Sequence, residues 1–272
     1  MTGPLPDRRN DFDVTNTVRV SSPDAVREAV AKLFHATWPG ATFDPLWMAF
    51  HDYERLFHGD LPGYFGCDTV YHDLQHTLDM TLAMARLLVG YERSCAPEER
   101  VGGERAVLGL IAALFHDSGY IRREDEPRWD NGAQFTNWHV SRSAEFLSAY
   151  MNGVGLSHLA KRASLLVHFT GYEQNPEDIE LDDPLDTHVG HLLGTGDLLA
   201  QMADRCYLEK CRDRLYAEFV LGGIAFGDAL GGSPRYESGL DLLRQTPVFW
   251  RQAAYQRMNR QFNRAYRHME VL

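Results

Sequence analysis

The 272-residue sequence predicts an all-α protein, a compact bundle of many helices, on three observations. Apolar residues recur at three- and four-residue spacing along most of the chain, the signature of helices with one buried stripe. Ser, Asp or Pro stands where these stretches begin, and Gly or Pro where several of them end. No stretch shows the apolar–polar alternation of a half-buried strand. Hydrophobic residues make up 44% of the chain and aromatic residues 11%, enough for one large core or two small ones.

In chain order, residues 1–21 read as a flexible polar tail with Pro4, Pro6, Arg8 and Arg9, lacking the apolar run of a secretory signal. Residues 22–66 hold two helices packed on the core. The first begins at Ser22-Pro23-Asp24, with Ser as cap, Pro in the first turn and an acid at the positive end. Val26, Val30, Leu33 and Phe34 form its stripe, and Trp38-Pro39-Gly40 ends it. The second runs from Pro45 to Phe57 through Leu46, Phe50 and Tyr53, and Gly59 to Gly66 is a turn-rich connection.

Residues 67–221 form the core. A helix from Tyr71 to Gly90 carries Leu74, Leu78, Leu82, Met84, Leu87 and Leu88, a pattern suited to burial on several sides. His72 and His76 stand four apart on it, sharing a face about 6 Å apart. Ala96 to Gly103 is a loop, and Glu104 to Asp117 is the most apolar helix. Gly119 to Gly132 is polar and connects to a helix from Trp138 to Met151, stopped by Asn152-Gly153. Ser157 is expected to cap the next helix, which reaches Phe169. Glu173 to Asp186 carries seven acids and two prolines and is a surface loop. One long helical region follows from Leu185 to Leu221, holding Asp197 and Asp204 seven apart on one face, so that either could reach an ion, with Asp197 favoured and Asp204-Arg205 read as an ion pair. Residues 222–272 are a C-terminal helical extension whose last helix, from Val248, lines up Trp250, Ala254, Met258, Phe262 and Tyr266.

The net charge of −11 argues against a nucleic-acid polymer as partner, and no uncharged apolar run approaches the roughly 20 residues of a membrane span. Cys67, Cys95, Cys206 and Cys211 form no Cys-x-x-Cys pair and read as reduced thiols, so a cytoplasmic protein is expected.

The stretch Leu114-Phe115-His116-Asp117-Ser118 ends the most apolar helix with two adjacent polar groups. Burying an imidazole and a carboxylate without partners is costly, and a divalent metal satisfies both. His76, His139, His168 and Asp197 each lie about one helix and one loop from the next member of the series. Successive helices would thus deliver ligands to one point, and six groups exceed what one tetrahedral ion uses. Two divalent ions (Mn, Fe, Co, Zn or Mg), bridged by Asp117, are therefore expected. Such a pair generates hydroxide near neutral pH and neutralises charge on an in-line phosphoryl transition state. His72 would supply the leaving group's proton, and Arg122 and Arg123 would meet a phosphate.

His76, His116-Asp117 and Asp197 resemble the H…HD…D signature of the HD-domain metal-dependent phosphohydrolases, over about residues 70–220. His139 and His168 match the two extra histidines of the binuclear members. Tyr71-His72-Asp73-Leu74-Gln75-His76 is similar to the Tyr-His-Asn-x-x-His motif of cyclic-nucleotide phosphodiesterases, with Asp73 in place of Asn. The resemblance implies an HD-domain bundle and hydrolysis of a small-molecule phosphoester, nucleotides included, by metal-activated water. It gives His76, His116, Asp117 and Asp197 to one ion, and His139, His168 and Asp117 to the other. It makes His72 the proton donor. Gly119-Tyr120 stands where the family often has His or Lys, and no Gly-Tyr-Pro follows, which argues against a cyclic-di-nucleotide substrate. Two other readings stay open on the same residues: an HD-fold di-iron oxygenase, and a binding module whose metal is structural. Assembly into a homo-oligomer also stays open.

Overall fold

A computed structural model of the chain describes residues 10–126, 128–226 and 235–272. The described residues form ten α-helices and short helical turns, with no strand beyond one isolated bridge between Tyr64 and Arg123. The helices are α1 (Pro23–Thr37), α2 (Asp44–His58), α3 (Leu74–Ser94), α4 (Gly102–Phe115), α5 (His139–Gly153), α6 (Ser157–Leu166), α7 (Pro184–Ala203), α8 (Tyr207–Lys210), α9 (Tyr216–Leu221) and α10 (Gly239–Gln252). The all-α bundle read from the sequence is the observed architecture. None of the described helices is long and apolar enough to cross a membrane.

α3 is the hub. Leu78, Met80, Leu82, Met84, Leu87 and Leu88 are fully or almost fully buried, because α1, α4, α7 and the C-terminal turn Ala265–Val271 each cover part of it. Gly90 makes the last of these contacts possible, since a Cβ there would sit 1.9 Å from the His268 carbonyl oxygen. The C-terminal extension is thus fastened to the core helix.

Several elements depart from the sequence reading, each for a local reason. α3 begins at Leu74 rather than Tyr71, because the Asp73 carboxylate caps it. Ser22 caps α1 as expected, its hydroxyl accepting the Ala25 N–H at 3.3 Å. Ser157 is instead the first residue of α6 and makes no cap bond. The long helical region over 185–221 is broken after Ala203. There Asp204 turns its Oδ1 onto the Cys206 N–H at 2.8 Å and its Oδ2 onto Lys210 Nζ at 2.5 Å. The last long helix starts at Gly239, capped by Ser238, well before Val248.

The flexible tail is not what residues 10–21 form. Asp13 and Val20 are buried. The Asp13 carboxylate accepts the Thr17 and Val18 N–H groups at 2.8 and 2.9 Å and pairs with Arg86 at 2.7 Å. Residues 1–9 lie outside the described ones.

Candidate metal centre

Four helices bring their polar residues to one buried point. The Asp73 cap accepts the His76 N–H at 2.9 Å, which sets His72 just before α3 and His76 in its first turn. α4 is buried along nearly its whole length, so its C-terminal end carries His116 and Asp117 into the interior, at 1% and 3% exposure. His139 is the first residue of α5, and Asp197 lies in the second half of α7. Gly119 closes the approach: a Cβ there would stand 1.8 Å from the His139 carbonyl oxygen.

His116 Nε2 is 3.1 Å from Asp117 Oδ2 and 3.9 Å from Asp197 Oδ1. His76 Nε2 is 3.4 and 3.6 Å from the same two oxygens. His139 Nε2 faces the other oxygen of Asp117, Oδ1, at 3.8 Å. Ligand atoms of His76, His116 and Asp197 all lie within 4.8 Å of one another. Bonds of about 2.1 Å around one ion would hold neighbouring ligand atoms about 3 to 3.5 Å apart. The cluster is close to that spacing.

Two further observations bear on whether a cation fits. His116 Nε2 and Asp117 Oδ2 are buried without a hydrogen-bond partner, although they are neighbours. Buried polar atoms are rarely left so, and a positive ion among them would satisfy both. The Nδ1 atoms of His116 and His139 lie 2.9 and 2.8 Å from the carbonyl oxygens of Ala113 and Thr136. A carbonyl accepts only from N–H, so in the neutral form of each ring, the form that binds a metal, Nε2 keeps its lone pair for the cluster. Neutral imidazoles with carboxylates form a donor set suited to a divalent transition metal.

Charge within the cluster is strongly redistributed. Burial disfavours the imidazolium of His116, yet Asp117 and Asp197 carry its pKa up to about 9. Asp117 resists burial in turn and falls far below the carboxylate range beside His116, His72 and His76. Burial pushes His76 down to about 3, and it lifts Asp197 to about 6 against the pull of His116.

His72 stands at the edge of this group. Its Nδ1 makes a short contact with the carboxylate of Glu218, which is 0% exposed and also accepts the Tyr71 N–H at 2.9 Å. Burial opposes charge on His72, but Glu218, with Asp117 and Asp197, raises it to about 9. The Tyr120 ring stacks on both His72 and His139, at centroid distances of 4.5 and 4.4 Å.

The structure brings together His72, His76, His116, Asp117, His139 and Asp197. It does not bring His168 into contact with the carboxylates. That side chain is buried beyond α6 with its Nδ1 unpartnered, and among the described residues no ion pair links it to the cluster. The charge of Glu173 reaches both His139 and His168, which places the two histidines in one neighbourhood.

Arg122 and Arg123, expected to meet a phosphate, are engaged by neighbouring loop residues. Arg122 bonds Asp68 at 2.8 Å and the Trp129 carbonyl at 3.0 Å, and Arg123 pairs with Glu126 at 3.0 Å, so both arginines hold the loop together. Asp204 is tied to Lys210 and lies outside the group formed by His76, His116 and Asp197. Asp73 pairs with Arg214 at 3.0 Å and leaves the His72 imidazole to Glu218.

The sequence did not point to Glu218. The signal for Glu218 was an acid among Tyr216, Phe219, Val220 and Leu221, a place where a solvated acid is unexpected. Comparison of the chain with protein-family models, curated proteins and solved structures gives no match.

Proposed function

We propose that the protein is a divalent-metal-dependent phosphohydrolase acting on a small-molecule phosphoester, with nucleotides in that class. The observation that carries this reading is the convergence of His76, His116, Asp117 and Asp197 around orphaned donor atoms, with the His72–Glu218 pair beside them. Those four residues would hold one ion. His139, facing the second oxygen of Asp117, would begin a site for another, and Asp117 would bridge. Bound ions of this kind lower the pKa of a water toward about 7 and offset charge developing on phosphoryl oxygens.

The remaining chemistry belongs to the chain. With its Nδ1 engaged by Glu218, His72 keeps a proton at Nε2 for the departing alkoxide, and its raised pKa holds that proton at neutral pH. Glu218 fixes the ring and sustains its charge. Tyr120, stacked on His72 and His139, keeps proton donor and ligand in a constant relation. A cationic general acid beside the centre suits ester cleavage, which expels an alkoxide.

The test uses purified protein loaded separately with Mn²⁺, Co²⁺, Zn²⁺ and Fe²⁺. Phosphate or alcohol release is followed from p-nitrophenyl phosphate, bis-p-nitrophenyl phosphate, nucleoside monophosphates and cyclic nucleotides. Metal content and oxygen uptake are measured alongside. Metal-dependent release is the expected result. Oxygen consumption with iron and no ester cleavage would move the protein to the oxygenases, and retained metal with no turnover to the binding modules.

A further inference from the structure

Arg257 stands apart from the other inward-facing arginines. Arg86, Arg105 and Arg142 each meet a carboxylate, from Asp13, Asp183 with Asp186, and Glu126 respectively. Arg257 is 6% exposed and, among the described residues, no carboxylate pairs with it. Its Nε is buried with no hydrogen-bond partner, and one Nη donates to the Gly171 carbonyl. The guanidinium lies over the Tyr172 ring at 4.3 Å, with the Phe262 ring at 5.4 Å. The groups in direct contact are neutral, and beyond them the charge of Asp197 offsets the desolvated cation only in part, so the charge is retained at a cost to stability.

Its position gives that cost a purpose. Arg257 lies in the wide helical turns Ala253–Gln261 that continue α10. This stretch packs on the face of α7 that carries Asp197. Leu198 clusters with Ala253, Met258 and Phe262, and a Cβ at Gly194 would stand 2.5 Å from the Phe262 ring. Arg257 and Asp197 accordingly feel each other's charge. Arg257 also lines a cavity of about 350 Å³ with Tyr172, Pro176 and the amides of Gln174, Asn175, Gln252, Gln256 and Gln261. That volume falls within the roughly 300–1,000 Å³ of small-molecule sites.

We propose that Arg257 anchors the anionic group of the substrate, and that the amide-lined cavity takes the polar remainder of a phosphate ester of about mononucleotide size. Assigning that anion to the substrate rests on the phosphohydrolase reading, but the anion site itself does not. Guanidinium matches a phosphate in shape and charge, and amide side chains supply both donors and acceptors to a base or a sugar.

The experiment measures binding of inorganic phosphate, and of AMP as the larger probe, by calorimetry. Wild type, Arg257→Met and Arg257→Lys are compared, each both loaded with Mn²⁺ and stripped by chelator, with metal content and melting temperature recorded. Both probes should bind wild type in either metal state, and the Met variant should lose at least about tenfold in affinity. The Lys variant should lose less, since it keeps the charge without the planar fork. The Met variant should keep its metal and melt no lower than wild type, because an unpaired buried cation has been removed. Unchanged phosphate affinity in the Met variant, or its collapse in thermal stability, would overturn the anion site. Arg257-dependent phosphate binding by a protein that holds no metal would instead leave the anion site standing and remove the hydrolase reading.

Discussion

Two histidine clusters flank α7, and they differ in one respect. Toward Asp197, three imidazoles gather around the two oxygens of Asp117, with Nε2 of His116 left orphaned. Toward the start of the helix, His188 packs on the Tyr91 ring at 4.1 Å and on His191 and His268 at centroid distances of 6.2 and 6.0 Å. His268 Nδ1 is 3.0 Å from Ser94 Oγ, which ties the C-terminal turn to α3. This second group contains unpartnered ring nitrogens as well, on His188 and His191. Among the described residues, what it lacks is a carboxylate. With no acid among them, burial pushes all three toward the neutral form, and at His188 the charges of His191 and His268 add to it, taking it to about 4. The comparison teaches that a buried acid, more than the number of histidines, separates a donor set that could hold a metal from a packed core.

The sharpest way to break that distinction is to remove the acid. Asp117→Asn should empty the centre of metal and lower ester turnover by roughly 10³-fold or more. His188→Leu should leave metal content and turnover near wild type. Metal analysis of the two variants side by side decides it. Equal metal content in both would mean that Asp117 does not distinguish the clusters.

The next effect separates proton delivery from metal binding inside the first cluster. His72→Ala should keep its metal and lose about 10²-fold in turnover of esters with poor leaving groups. Substrates that expel p-nitrophenolate, which needs no proton, should be affected far less. Glu218→Gln should act through His72 and not through the metal. Glu218 is what raises that imidazole to about 9, so without its charge the protonated form is lost at lower pH. The alkaline limb of the rate profile should therefore move toward neutrality, while a purely structural role for Glu218 would lower the rate without shifting the limb.

The same contrast explains what was legible in the sequence. His76, His116, Asp117, His139 and Asp197 could be read because each is a polar residue on an otherwise apolar helix, and helix spacing then places them together. His168 carries the same signal; it sits in the turn Val167–Phe169 after α6, and among the described residues no ion pair joins it to Asp117 or Asp197. Arg122 and Arg123 were misread because proximity in sequence to the His-Asp pair stood in for proximity in space, and Asp68 and Glu126 had prior claim on them. Glu218 meets His72 across 146 positions of chain, a separation no local pattern bridges. The helices themselves were legible from caps and stripes. Their breaks were not, because Asp204 stops α7 by turning its carboxylate forward onto Cys206 and Lys210 within an otherwise helical sequence.

The smallest effect tests the carboxylate-free cluster by its titration. His188 has a folded pKa of about 4, against about 6.5 in the unfolded chain. Below pH 6.5 the unfolded chain binds a proton that the folded protein refuses, so acid favours unfolding. The stability that neutral His188 contributes is complete above about pH 6.5 and is lost as pH falls toward 4. At pH 5 the loss is about 2 kcal/mol, which for a chain of this size lowers the melting temperature by about 5 °C. His191 and His268, also depressed by burial, act in the same direction. His188→Leu should therefore narrow the gap between melting temperatures at pH 7.5 and pH 5, and hydrogen exchange at pH 5 should show Ala265–Val271 loosening first in wild type. An undiminished gap in the Leu variant would mean that other buried groups, such as His76 with its pKa of about 3, set the acid limit in this interval. The Asp13 and Glu126 carboxyls hold pKa values of about 2, so their contribution fades only below about pH 4 and does not enter the comparison of pH 7.5 with pH 5.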